Sequence, residues 1–282
     1  MTSSELQTPP LDTARRLAEH GDLDGAAAIL ADLAATGGPD AAQAAVGLAV
    51  VLDQAGDAAG ARAAARAALA TGHPEFAAQA ACHLAQGFER EGRLGQARGA
   101  WQAVLGVGTP AYVPLAHLAL ARLALESGDL DEAESAFRAA LDTAGGAGGG
   151  HDDGAAASVP GAGDGAEVRV HAVQQLADLL IERGEPGEAA DLLLEALRDA
   201  SGDDAARLRV QLGIAHLELA CAEFAGAVED GGEAQTSALA IELLARTLPL
   251  RGRADDADHV WAYGLDHEDE TLASEVRLRY DR

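Results

Sequence analysis

The chain has 282 residues, with 46 Asp and Glu against 20 basic residues that are all arginine, for a formal net charge of −26. So acidic a balance opposes a polyphosphate backbone and an anionic bilayer, which excludes nucleic acid and membrane as expected partners. Hydrophobic residues make up 48% of the chain but aromatics only 3%, so a core has to be built from Ala, Leu and Val in close-packed helices.

The first residues, MTSSELQTPP, show neither a basic region ahead of an apolar stretch nor a cleavage site, and no later segment is apolar for the ~18 residues of a membrane span. A cytoplasmic protein is expected. The only cysteines, Cys82 and Cys221, each lie in an Ala-rich helical pattern, where a buried thiol is the expectation and a disulfide framework is excluded.

An apolar helical pattern runs from residue 8 to the hexapeptide GDLDGA at 21, and near-copies of it follow as GDAAGA at 56, GRLGQA at 92, GDLDEA at 128, GEPGEA at 184 and GRADDA at 252. The steps between opening glycines are 35, 36, 36, 56 and 68 residues, a regular period, then one with an insertion, then a doubled one. Each hexapeptide separates two apolar patterns of helical spacing, such as LAHLALARLALES from 115 and LDEAESAFRAAL from 130. The unit is helix, turn, helix. Gly128 can take the left-handed conformation that ends a helix, Asp129 can cap the next one, and Glu132 stands where a capping box requires it.

Two antiparallel helices joined by so short a turn cross closely, and only small side chains fit at the crossing. Seven residues before the glycines stand Ala14, Ala49, Ala85, Ala121, Ala177 and Ala245, and five after them stand Ala26, Ala61, Ala97, Ala133, Ala189 and Ala257. Aligning QLGIAHLELACAEFA adds a seventh copy, with Gly213 and Ala225 at these places and Ala220 instead of the turn glycine. Nine residues after the glycine come Leu30, Ala65, Trp101, Phe137, Leu193, Glu229 and Trp261, five of them large and apolar.

Two stretches stand apart from the repeat. Residues 144–166, AGGAGGGHDDGAAASVPGAGDGA, have the composition of a flexible linker, and HEDETLASEVRLRY from 267 reads as a capping helix with acids in its first turn and arginines in its last. The expected organisation is hairpins one to four over 8–143, the linker over 144–166, hairpins five to seven over 167–265, and the cap over 266–282. The sixth hairpin is degenerate, because VEDGGEA cuts its second helix short.

The pattern of small residue, turn glycine, alanine and large apolar residue, with Pro39, Pro74 and Pro110 before the next first helix, resembles the tetratricopeptide repeat, and most of all the Ala- and Arg-rich members from GC-rich bacteria. The resemblance implies an all-α solenoid of about seven hairpins plus a C-terminal capping helix. It also implies a concave groove lined by the first helix of each hairpin, which takes a partner peptide or helix. Counting from the small crossing residue, the implied groove positions are Arg15, Gln43, Val50, Gln79, Gln86, Arg90, Arg122, Glu126, His171, Gln174, Asp178 and Glu182. Arginine and glutamine prevail in the first four hairpins and acids in the fifth, which suggests an acidic partner segment at Arg90 and Arg122.

Family members that hold chaperone C-terminal tails grip the terminal carboxylate with lysine and asparagine, and this chain has neither residue. A carboxylate clamp of that type is not expected. HDD at 151, DDADH at 255 and CH at 82 put ligating or nucleophilic types side by side, but a Gly-rich loop, helix starts and neighbouring helical positions explain them without a site. There is no phosphate loop, dinucleotide fingerprint or nucleophile elbow, so no cofactor, metal or enzymatic activity is expected. The reading is a non-catalytic protein-binding scaffold. The alternatives are a regulatory sensor that binds a signal peptide and changes shape, and a homotypic assembly subunit.

Overall fold

The computed structural model describes residues 9–144 and 165–281. Among them every regular element is helical: α1 (Pro10–Glu19), α2 (Leu23–Ala35), α3 (Ala41–Gln54), α4 (Ala58–Ala70), α5 (Pro74–Arg90), α6 (Leu94–Val107), α7 (Val113–Glu126), α8 (Leu130–Ala144), α9 (Gly165–Glu182), α10 (Pro186–Ala196), α11 (Gly202–Glu229), α12 (Ala234–Thr247), α13 (Ala254–Leu265) and α14 (Glu270–Tyr280). A 3-10 turn at Leu248–Arg251 joins α12 to α13. The expected all-α solenoid architecture is what the chain adopts.

The six hexapeptide glycines make the turns. Gly21, Gly56, Gly92, Gly128, Gly184 and Gly252 have φ between 70° and 84°. In each turn the glycine N–H donates to the carbonyl three residues back and the next N–H to the carbonyl five back, as in Gly128 to Leu125 at 3.0 Å and Asp129 to Ala124 at 2.9 Å. The last carbonyls of the first helix are thereby satisfied in a conformation that costs glycine nothing. The aspartate beside the glycine caps the second helix: Asp22, Asp57 and Asp129 accept from the N–H of Gly25, Gly60 and Glu132 at 2.9, 2.8 and 3.0 Å. The capping box itself does not close, because the Asp129 N–H is already taken by Ala124, and the Glu132 carboxylate pairs instead with Arg98 on α6.

All twelve crossing alanines of the six visible repeats are buried, Ala257 being the most exposed at 3%. Trp101, Phe137 and Leu193 are buried to 1% exposure or less, so the ninth position after the glycine does supply core. Ala65 is equally buried although small.

The chain forms two compact units, Met1–Ala172 and Val173–Arg282, divided within α9. In the first, the second helix of each hairpin packs on the first helix of the next, α2 on α3, α4 on α5 and α6 on α7, and α3 also meets α5. Of the expected linker, Ala144 closes α8 while Gly165 and Ala166 open α9; residues 145–164, HDD among them, lie outside the described residues.

The second unit departs from the expected sixth hairpin. No turn forms at Ala220, and α11 runs unbroken for 28 residues. Alanine is the strongest helix former and lacks the glycine's access to positive φ, so nothing there stops the helix. It ends where Gly231 supplies a φ of 64°. Gly213, aligned to a crossing position, is exposed, and Ala225 is only half-buried. The helix packs on α10 and on α12, and α14 closes the unit against α12 and α13. Leu272, Ala273 and Val276 are buried on that face, and Gly264 of α13 lets Val276 in, since a Cβ there would stand 3.0 Å from its methyls.

Candidate partner-binding face

The first unit brings four of the expected groove positions together. Arg15 on α1, Gln43 and Val50 on α3, and Gln79 on α5 all line one open hollow of about 180 Å³. Sequence reasoning missed the rest of its wall, mainly Leu11, Val46 and Phe76 with Gln54 at the edge. A signal was present on α3, where residues 43, 46, 47, 50, 51 and 54 recur at helical spacing on one face. Leu30 of α2 closes the floor beneath Gly47, whose added Cβ would lie 3.3 Å from it.

One polar group of the wall, Gln79, is held in place. Gln79 is 4% exposed, and its Nε2 donates to Glu75 Oε1 at 2.8 Å. The Tyr112 hydroxyl donates to the same oxygen at 2.8 Å. Burial first, and then this bond to Glu75, push the Tyr112 hydroxyl well above its ordinary range, so it remains a donor. The amide of Gln79 is thus fixed by a network whose other members sit behind the hollow.

Further along, the geometry changes the meaning of the groove arginines. Arg90 on α5 pairs with Asp53 on α3 at 2.7 Å, and Arg122 on α7 pairs with Glu89 on α5 at 3.0 Å. Glu89 also accepts from Trp101 Nε1 at 2.5 Å, which ties this ladder to the core. The four side chains balance one another, so α5 and α7 do not present the uncompensated positive charge that the residue count suggested. Asp53 and Glu89 escaped notice because each stands three residues before a turn glycine, outside the counted positions. Gln86 and Glu126 also lie on α5 and α7, away from the hollow.

The remaining expected positions fall on α9. His171 belongs to the first unit, and Gln174, Asp178 and Glu182 to the second. Asp178 Oδ1 accepts from Gln211 Nε2 of α11 at 2.8 Å, and the Gln174 carbonyl accepts from the same nitrogen at 3.0 Å. These two residues therefore anchor α11 to α9.

The half-buried His83 of α5 lies near Asp53 and Arg90. Burial lowers its pKa from the ordinary 6.5, against an opposing effect of the Asp53 charge. Between the two values the unfolded chain binds the extra proton, so this stability is complete above pH 6.5 and is lost as pH falls through the folded value. His83→Gln should flatten the fall in melting temperature between about pH 7 and 5. A fall as steep as that of the unaltered protein contradicts this.

Among the described residues no group of three His, Cys, Asp or Glu side chains gathers as a metal ion would need, and no helix is long and apolar enough to cross a membrane. His259 Nδ1 lies 2.7 Å from the Asp255 carbonyl, and His267 Nδ1 accepts from the Asp269 N–H at 3.0 Å, which employs both in local helix-end geometry.

Residues 11–80 and 82–148 match the model of the tetratricopeptide repeat family. No curated protein matches the sequence. Among solved structures, a tetratricopeptide repeat protein of Parabacteroides merdae is similar at 15% identity and TM-score 0.46, over 96% of this chain and 97% of that one. The apo quorum sensor NprR of B. thuringiensis is similar at 11% identity and TM-score 0.47, over 90% and 73%. A thermophilic repeat protein of Thermus thermophilus is similar at 24% identity and TM-score 0.38, over 74% and 97%. Likenesses of this degree say nothing of function. The family match covers the hairpins that build the hollow, and the fold of the described residues is all-α, a solenoid of the tetratricopeptide type.

Proposed function

We propose that the chain is a non-catalytic protein-binding scaffold, and that the hollow between α1, α3 and α5 seats a large apolar side chain of a partner's extended or helical segment. Tetratricopeptide repeats generally mediate protein–protein interaction. The observation that carries the reading is the convergence of Arg15, Gln43, Val50 and Gln79 on one largely apolar hollow, with the Gln79 amide pre-oriented by Glu75 and Tyr112. An apolar anchor with a few fixed polar groups beside it is the usual composition of a recognition site. An acidic segment aimed at Arg90 and Arg122 would first have to displace Asp53 and Glu89, which makes charge capture the lesser contribution.

Selection from a random peptide library on the full chain tests this. Recovered peptides should share one Leu, Phe, Met or Trp, and their affinity should change little between low and high salt. Peptides rich in Asp and Glu whose binding collapses with salt would instead place the interaction on the arginines.

A further inference from the structure

In the second unit the missing turn has left a space. The turn around Gly184, between α9 and α10, and the turn around Gly252, between α12 and α13, border a hollow of about 320 Å³ whose back wall is α11 at Glu218, Cys221, Ala222 and Ala225. Those are the residues on either side of Ala220, where the repeat pattern expects a turn and the helix goes straight on. One helix stands where each neighbouring repeat supplies two, and the small side chains of Cys221, Ala222 and Ala225 do not fill the difference.

The chemistry of the wall selects an occupant. Its interior is apolar, with Ile181, Leu244, Leu248 and Val260 facing the small residues of α11. The charged groups at its rim are already matched: Arg251 donates to Glu218 at 2.6 Å and Arg253 to Asp256 at 2.6 Å. No net charge is left over to attract an ionic ligand, and a charged group entering the hollow would lose water without gaining a partner. The hollow is open to solvent on one side, so it suits one face of an aromatic or aliphatic molecule of one or two rings.

We propose that this hollow is a second binding site, separate from the partner-binding face, and that it takes a neutral, apolar small molecule against Cys221. Cys221 is 5% exposed at its wall, whereas Cys82 is fully buried in the first unit, so the chain carries its own reporter and its own control. Burial first, then the Glu218 charge, raise the Cys221 thiol pKa, so alkylation is followed at mildly alkaline pH.

The neutral fluorophore prodan, titrated into the full-length protein, is the probe. It should give saturable, blue-shifted emission, and a saturating concentration should slow Cys221 alkylation by iodoacetamide at least fivefold while leaving Cys82 as unreactive as before. Ala222→Trp, at an exposed position of α11, should fill the hollow and remove the Cys221-protecting class of sites, whereas Val50→Trp, in the first hollow, should not. If Ala222→Trp disturbs the circular dichroism spectrum, protection of Cys221 in the unaltered chain decides alone. Prodan that saturates without slowing Cys221, or protection that persists in a folded Ala222→Trp protein, overturns the proposal.

Discussion

Trp101→Ala should destabilise the first unit by about 3–5 kcal/mol, the usual cost of emptying a buried aromatic site. Trp101 is 1% exposed and is packed in a cluster with Ala85, Ala97, Val104 and Leu120. Alanine fills too little of that volume. The substitution also strips Glu89 of its indole donor, leaving the carboxylate that pairs with Arg122 held from one side only. Trp101→Phe keeps most of the packing and loses the hydrogen bond, so it should cost less, near 1 kcal/mol from the bond together with the smaller volume. Urea denaturation followed by far-ultraviolet circular dichroism measures both. A loss below about 1 kcal/mol for Trp101→Ala would mean that the ninth position of the repeat does not carry the core.

The converse substitution, Ala133→Leu, should cost about 1–3 kcal/mol by overpacking. Ala133 is fully buried on α8 where that helix packs on α7, whose Ala121 is equally buried, so added methyl groups there would press the two helices apart. Ala136→Leu, one turn further along α8 at a half-buried position, should cost clearly less. Equal melting temperatures for the two variants would show that the crossing lies elsewhere.

Much of this architecture was legible because the repeat fixes backbone geometry through few residues. A glycine at each turn, an aspartate after it in three of the six repeats, and alanine on both sides of the crossing leave little freedom, and all six turns form alike. The pattern misled where only part of it was present. Gly213 and Ala225 kept the spacing of a crossing, but with Ala220 in the turn position the helical propensity of α11 prevailed. Glu132 fitted a capping box by spacing, yet its partner N–H was already engaged by the turn, a competition between two local motifs that spacing alone does not decide.

The candidate site was legible by face and less so by charge. Counting along first helices found Arg15, Gln43, Val50 and Gln79, which meet in one hollow, because helical periodicity predicts which residues share a side. It did not reveal that Arg90 and Arg122 are met by Asp53 and Glu89. Those pairs join different hairpins, 37 and 33 residues apart, and the register between successive hairpins appears only when they are stacked.

The most direct test of the partner-binding face is a calorimetric titration with a peptide selected on the full chain, comparing Val50→Glu with Arg66→Glu. Val50 lines the first hollow, while Arg66 is exposed on α4 and takes no part in it. A carboxylate in the wall would have to be desolvated against the incoming apolar side chain, so Val50→Glu should weaken binding at least tenfold, about 1.4 kcal/mol, with helicity unchanged. Arg66→Glu should leave the affinity within about twofold. Equal affinities for the unaltered protein and Val50→Glu, or a loss found only with Arg66→Glu, would contradict the account and move the interaction to the second helices.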